Sequence, residues 1–279
     1  MRKLSLVVAC ALVATSALAQ QQVRTPRPSP TAKLTQTVGI TEVTINYSRP
    51  GVKGRSIWGG LVPYDKVWRT GANEATTITF SDDVSINGQK LTKGTYSLHT
   101  TPGQSAWKIH FNSVADQWGS YSYDAAKDVV VVNATPQPAP HAEWLTFEVP
   151  EMTTDTAKIV IRWEKIAVPF TVDTGATAKV LTQLRNAMNP SWQTPYQAAN
   201  FAFDNKGAAT DQEISDWLDK SLSINQNIAN LWLKARFLER AGKTAEAIKT
   251  GEEAIAKATP QQADFAGVIR DTVATWKKK

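Results

Sequence analysis

Two periods of apolar residues divide this chain. From Ala32 to about Val172 apolar and polar residues alternate with the period of two that lines one face of a strand. Residues 41–47 place Val43, Ile45 and Tyr47 on one face, and 76–80 and 83–86 follow. Asn87-Gly88 lies between Val84-Ser85-Ile86 and Gln89-Lys90-Leu91, a two-residue hairpin turn for which both residues tolerate positive φ. Residues 94–100, 107–112, 128–133, 143–149 and 158–164 supply further short strands, separated by turn residues such as Thr101-Pro102-Gly103. This spacing predicts an antiparallel β-sandwich or jelly roll over residues 34–172.

Past Asp173 the period becomes helical, with Ala, Leu, Gln and Lys replacing β-branched residues. Helices are expected at 176–188, 192–204, 210–222, 227–241, 243–257 and 260–276, giving an α+β chain with two domains. Ala202, Ile214 and Ser221 recur one repeat later as Ala235, Ala247 and Ala254. Residues 231–260 resemble a tetratricopeptide repeat, in which small residues sit where paired helices cross and a proline closes the unit. The stretch 199–226 resembles a degraded second copy, with Ile214 where a small residue belongs. Two repeats bury too little surface alone, so the tail, residues 173–279, is expected to pack against the sandwich.

The start of the chain changes the setting. Arg2 and Lys3, the apolar stretch 4–13 and Ala17-Leu18-Ala19 before Gln20 read as an export signal over residues 1–19. The apolar stretch is too short for a stable anchor, so no membrane span is expected after cleavage. Val7-Val8-Ala9-Cys10 loosely resembles a lipoprotein cleavage box, but apolar sequence continues past Cys10, which argues against lipidation. The reading is a periplasmic or extracellular protein with a proline-rich linker at 20–33. Cleavage removes the single cysteine, and with it any disulfide or thiol chemistry. It also removes Arg2 and Lys3 from the 31 basic residues, leaving a mild excess over 25 acidic ones. The basic residues are scattered, which argues against a nucleic-acid partner.

The chemistry concentrates between Tyr47 and Thr76. Five of the fifteen glycines lie here, among Arg49, Lys53, Arg55, Lys66 and Arg69, with two tryptophans and two tyrosines. Glycine permits unusual backbone paths, and arginine presents a rigid fork to carboxylates or phosphates. The segments YSRPGVKGR, GGLVPYDKVWRTGANEAT and GTYSL resemble the bacterial family called domain of unknown function 2911, over residues 30–170. That resemblance implies a secreted β-domain, often with a helical repeat tail, and implies no activity, ligand or catalytic residue.

The residues themselves give two readings. Arg49, Arg55, Trp68, Arg69 and Asn73 could converge on a small anionic or carbohydrate ligand. Alternatively the arginines pair with Asp65, Glu74 or carbonyls and pin a long loop to the sandwich. Glu74 and His99 are the acid/base candidates, although one glutamate without a partner acid is a weak catalytic signal. His99 and His110 fall on neighbouring strands, opposite the apolar set, and with His141 could in principle bind zinc. No His-x-His pair supports a metal, and the competing reading is a pair of solvated strand-face histidines. Trp58, Trp68, Trp107 and Trp118 could stack on sugars or simply fill the core. No Gly-x-Ser-x-Gly elbow, Walker loop or Gly-x-Gly-x-x-Gly occurs, so no cofactor is expected. The first functional hypothesis is a non-enzymatic ligand- or protein-binding module of the cell envelope, its tail offering a concave surface to a partner. The competing one is a hydrolase or other enzyme acting on an envelope component or carbohydrate at the Arg/Gly-rich loop.

Overall fold

The computed structural model describes residues 25–187 and 191–278. The export signal expected at 1–19 lies outside the described residues.

Ten strands carry the alternating half: β1 (Thr31–Val38), β2 (Thr41–Ser48), β3 (Thr77–Phe80), β4 (Val84–Ile86), β5 (Gln89–Leu91), β6 (Gly94–Thr101), β7 (Trp107–Asn112), β8 (Asp128–Ala134), β9 (Gln137–Met152) and β10 (Thr156–Asp173). They form two antiparallel sheets, ordered β1-β2-β3-β6-β7-β8 and β5-β4-β10-β9. Ile45, Ile78, Leu98, Ile109 and Phe111 point inward from the first sheet and meet Ile86, Ile161, Trp163, Phe170 and Val172 of the second in one buried core. The Asn87-Gly88 turn joins β4 to β5 as its residue types require, with φ of 46° and 85°.

Three elements depart from expectation. β1 begins at Thr31, inside the residues assigned to the linker, and pairs with β2 along its whole length. β9 and β10 run far beyond 143–149 and 158–164, so His141, outside the expected strands, lies on β9. β9 is an edge strand, where Pro138, Pro140 and Pro150 cost few ladder bonds; those prolines and its many solvent-facing positions hid it from a periodicity argument.

Six helices follow among the described residues: α1 (Ala176–Asn186), α2 (Gln193–Asp204), α3 (Asp211–Ile224), α4 (Ile228–Arg240), α5 (Thr244–Ala256) and α6 (Ala263–Trp276). Thr210 caps α3 by accepting from Glu213 N–H, and Asn227 with Asn230 forms a capping box on α4. One apolar cluster joins α1, α2 and α3 to Leu233 of α4, and another joins α4, α5 and α6. The expected packing of the tail on the sandwich is confined, among the described residues, to one seam. The tail's own end helices, α1 and α6, cover the surface that two helix pairs leave bare. Its ties to the β domain are narrow: Ala176 beneath Gly39, Thr177 N–H to Asp155 at 2.5 Å, Lys179 Nζ to the Asp83 carbonyl at 2.6 Å, and Thr154 with Asn205 at 3.4 Å. No described helix is long and apolar enough to cross a membrane.

Candidate functional site

The run from Arg49 to Thr76 leaves β2, closes one end of the sandwich and returns at β3. Ile57 and Val62 plug the core there, each 2 % exposed. Four of the six described non-glycine residues with positive φ lie in this run: Lys53, Asp65, Thr70 and Asn73. Thr70 is β-branched and would rarely adopt φ of 52°. It is held there by its hydroxyl bond to Thr100 at 3.1 Å and by Thr76, whose hydroxyl donates to its carbonyl at 2.8 Å. Strain of this kind persists only where the surroundings over-determine the backbone, and it concentrates at ligand clamps.

The three arginines of the run have different fates. Arg49 Nε donates to the Leu145 carbonyl at 2.8 Å, stapling the loop to β9. Arg55 bonds back to the Val52 and Gly51 carbonyls at 3.1 and 2.6 Å. Arg69 makes no side-chain hydrogen bond or ion pair among the described residues, and its Nε is buried without an acceptor. Arg55 and Arg69 line one cleft of about 280 Å³ together with Trp68, Asn73, Gly71 and Trp163. Trp68 stacks on Trp163, with centroids 5.8 Å apart and planes 19° off parallel, and donates from Nε1 to the Gly71 carbonyl at 3.1 Å. Trp58 packs edge-on against both rings and against Trp107. Such pairs contribute about 0.5–1.5 kcal/mol each beyond area burial, so the cleft wall is rigid. Asn73 Nδ2 donates to the Ser29 carbonyl at 3.2 Å, bringing the N-terminal segment to the rim.

Four of the expected ligand residues, Arg55, Trp68, Arg69 and Asn73, therefore come together, and Arg49 does not. Sequence reasoning missed Trp163, which lies on β10 nearly a hundred residues away and whose only local signal is an inward strand position. Glu74 points to the other side, where Arg27 grips it at 2.8 and 3.0 Å. Its own backbone amide and then Arg27 hold its carboxyl below the usual range, so it stays ionised at neutral pH. It borders a larger depression of about 540 Å³ over β1, β2 and β3, whose described lining residues include no arginine or tryptophan.

His99 and His110 are paired across β6 and β7, as the alternation predicts. They are not solvated, however: residues 113–127 fold over this outer face and bury His99 completely. His110 Nδ1 lies 2.9 Å from Asp128 Oδ2 and its Nε2 2.9 Å from the Thr101 hydroxyl. Asp128 also accepts from Asn112 Nδ2 at 2.9 Å and from the Tyr123 hydroxyl. Burial first, then Asp128, keeps that phenol protonated far into the alkaline range. Neither nitrogen of His99 completes a hydrogen bond. Burial pushes its imidazole down to about 4; the Gly119 backbone and Asp128 pull the other way, and His110 adds to the fall. His141 is half-exposed, 3.5 Å from Glu143, and no described group of three His, Cys, Asp or Glu residues could hold a metal.

The chain matches no curated protein and no solved structure. Residues 29–172, just over half of the chain and almost all of the β domain with its cleft, match the family described as "Protein of unknown function (DUF2911)", and the chain belongs to that family.

Proposed function

We propose that this is an exported, non-enzymatic binding module whose β domain takes a small anionic ligand with a flat ring or sugar face. One observation carries the reading: Arg69 stands in the cleft with a buried Nε and no acceptor, beside stacked Trp68 and Trp163. A guanidinium without a partner is costly to desolvate, and a carboxylate or phosphate oxygen would supply what it lacks. Arg55 and Asn73 offer further donors at the rim. The enzymatic alternative has less behind it, because Glu74 is an ion-paired carboxylate away from the cleft and His99 is sealed off. For the tail we propose a tetratricopeptide-like stack that presents a surface to a protein or peptide partner. Its support is the burial of Ala202, Ile214, Ser221, Ala235, Ala247 and Ala254, each at most 2 % exposed, at the helix crossings.

Titration of the chain from Gln20 onward with glucuronate, N-acetylmuramate and their neutral parents, followed by tryptophan fluorescence, tests the ligand reading. The acids should quench or shift Trp68 and Trp163 emission at concentrations where the neutral sugars do not. Arg69→Gln should weaken binding at least tenfold, since a charge-assisted pair contributes about 1.5–3 kcal/mol. Equal response to acids and neutral sugars would overturn it.

A further inference from the structure

We propose that His99 is an acid-operated latch behind the ligand cleft: when it takes up a proton, residues 113–127 lift from the sheet and release the Asn73–Ala75 edge of the cleft. The geometry links the two places directly. Ala75 N–H donates to the Gln117 carbonyl at 2.9 Å, Gly119 N–H to the Asn73 carbonyl at 3.1 Å, and Glu74 bridges to Trp118. The backbone that carries Asn73 into the cleft is thus a strand-like partner of the loop that roofs His99.

The chamber under that roof is poorly served with partners. Both His99 nitrogens, Gln117 Oε1 and Ser120 Oγ are buried without hydrogen bonds. Neutral imidazole tolerates this as an uncharged ring packed against Tyr123, with centroids 4.9 Å apart and planes tilted by 50°. Imidazolium does not, because it brings two N–H donors and a charge into a space that offers the Gly119 backbone but no available anion. Asp128 on β8 is the nearest acid, but it already serves His110, Asn112 and Tyr123. His110 on β7 lies directly across the ladder and offers a like charge, not a counter-ion. On the covering loop Tyr123 stays a neutral phenol, while Asp116, Asp124 and Lys127 face solvent. On the 73–75 segment Glu74 is spent on Arg27. Gln117 and Ser120 could accept from the charged ring only by moving the segment around Gly119, which breaks the same ties to Asn73 and Ala75.

The direction of the pH effect follows. Above an ordinary histidine value of 6.5 the closed and open states are both neutral, and closure is at full strength. As pH falls from there towards about 4, the open state holds a proton that the closed state excludes, so opening grows and then levels off. The consequence for ligand retention rests on the cleft reading above; the opening itself does not.

Amide hydrogen exchange on the chain from Gln20 onward, corrected for intrinsic rates, tests the latch without any ligand. Between pH 7 and pH 4 protection of residues 116–123 should fall on the order of a hundredfold, and that of 73–75 should fall in step. His99→Phe fills the same space without a titrating group, and His99→Gln keeps polarity without one; each should flatten the response. Should one variant fail to fold at pH 7, the other gives the reading. A flat wild-type profile, an unchanged acid response in both variants, or opening of 116–123 while 73–75 stays protected would overturn the latch. Failure of glucuronate and N-acetylmuramate to bind at pH 7 would remove the ligand reading and leave the exchange result standing.

Discussion

Arg49 and Arg69 are the same residue type on the same run, and their surroundings give them opposite work. Arg49 Nε feeds the Leu145 carbonyl across 96 positions of sequence, whereas Arg69 has no side-chain acceptor among the described residues. Arg49→Ala should therefore cost about 1.5–3 kcal/mol of β-domain stability, the usual worth of a charge-assisted bond and its orphaned partner. Arg69→Ala should cost under about 1 kcal/mol, and guanidinium chloride midpoints at pH 7 read both. A large loss at Arg69 would make it a clamp like Arg49 and would remove the cleft reading. Composition announced the arginines and glycines but not this division, because the deciding acceptor sits on a strand that is distant in sequence. The histidines repeat the lesson. Alternation placed His99 and His110 on the outer face and in register; it could not show that an aperiodic loop folds back over them.

Among the elements, what could be read was what had a period. Helix ends in the tail fall within a few residues of expectation because Thr210, Asn227 and Pro260 are local signals. β1 and the long arms of β9 and β10 were hidden by polar, proline-bearing edge positions, where tertiary pairing overrides pattern. Small residues at the α5–α6 crossing lead to a prediction at this scale. A Cβ added at Gly251 would lie 2.6 Å from Val273 Cγ2, on a stiff side chain within a buried cluster. Gly251→Val should destabilise the helical part by about 1–3 kcal/mol through overpacking, although valine is the better helix former. Thermal loss of the 222 nm circular dichroism signal measures it. An unchanged midpoint would mean that α6 yields at this crossing.

At the scale of the whole molecule, the question is whether sandwich and tail melt as one unit. Each has its own buried clusters, and no described apolar cluster spans both. They meet at a seam where Gly39, at φ of 61°, lets Ala176 approach so closely that any added Cβ would stand 2.2 Å from the alanine's own. The remaining ties there are a few hydrogen bonds, three of them from α1 and the segment before α3. Contacts on that scale contribute a few kcal/mol at most, less than the stability of either apolar core, so they cannot enforce a single cooperative transition. Calorimetry should resolve two endotherms. Arg49→Ala should lower only the transition that carries the near-ultraviolet signal of the Trp58–Trp68–Trp163 cluster, and Gly251→Val only the one that carries the helical signal. Their effects should add within about 0.5 kcal/mol in the double variant, as expected for sites that share no partner. One endotherm shifted by both substitutions would instead show that the Gly39–Ala176 seam transmits folding between the two parts, and that the tail depends on the sandwich for its stability.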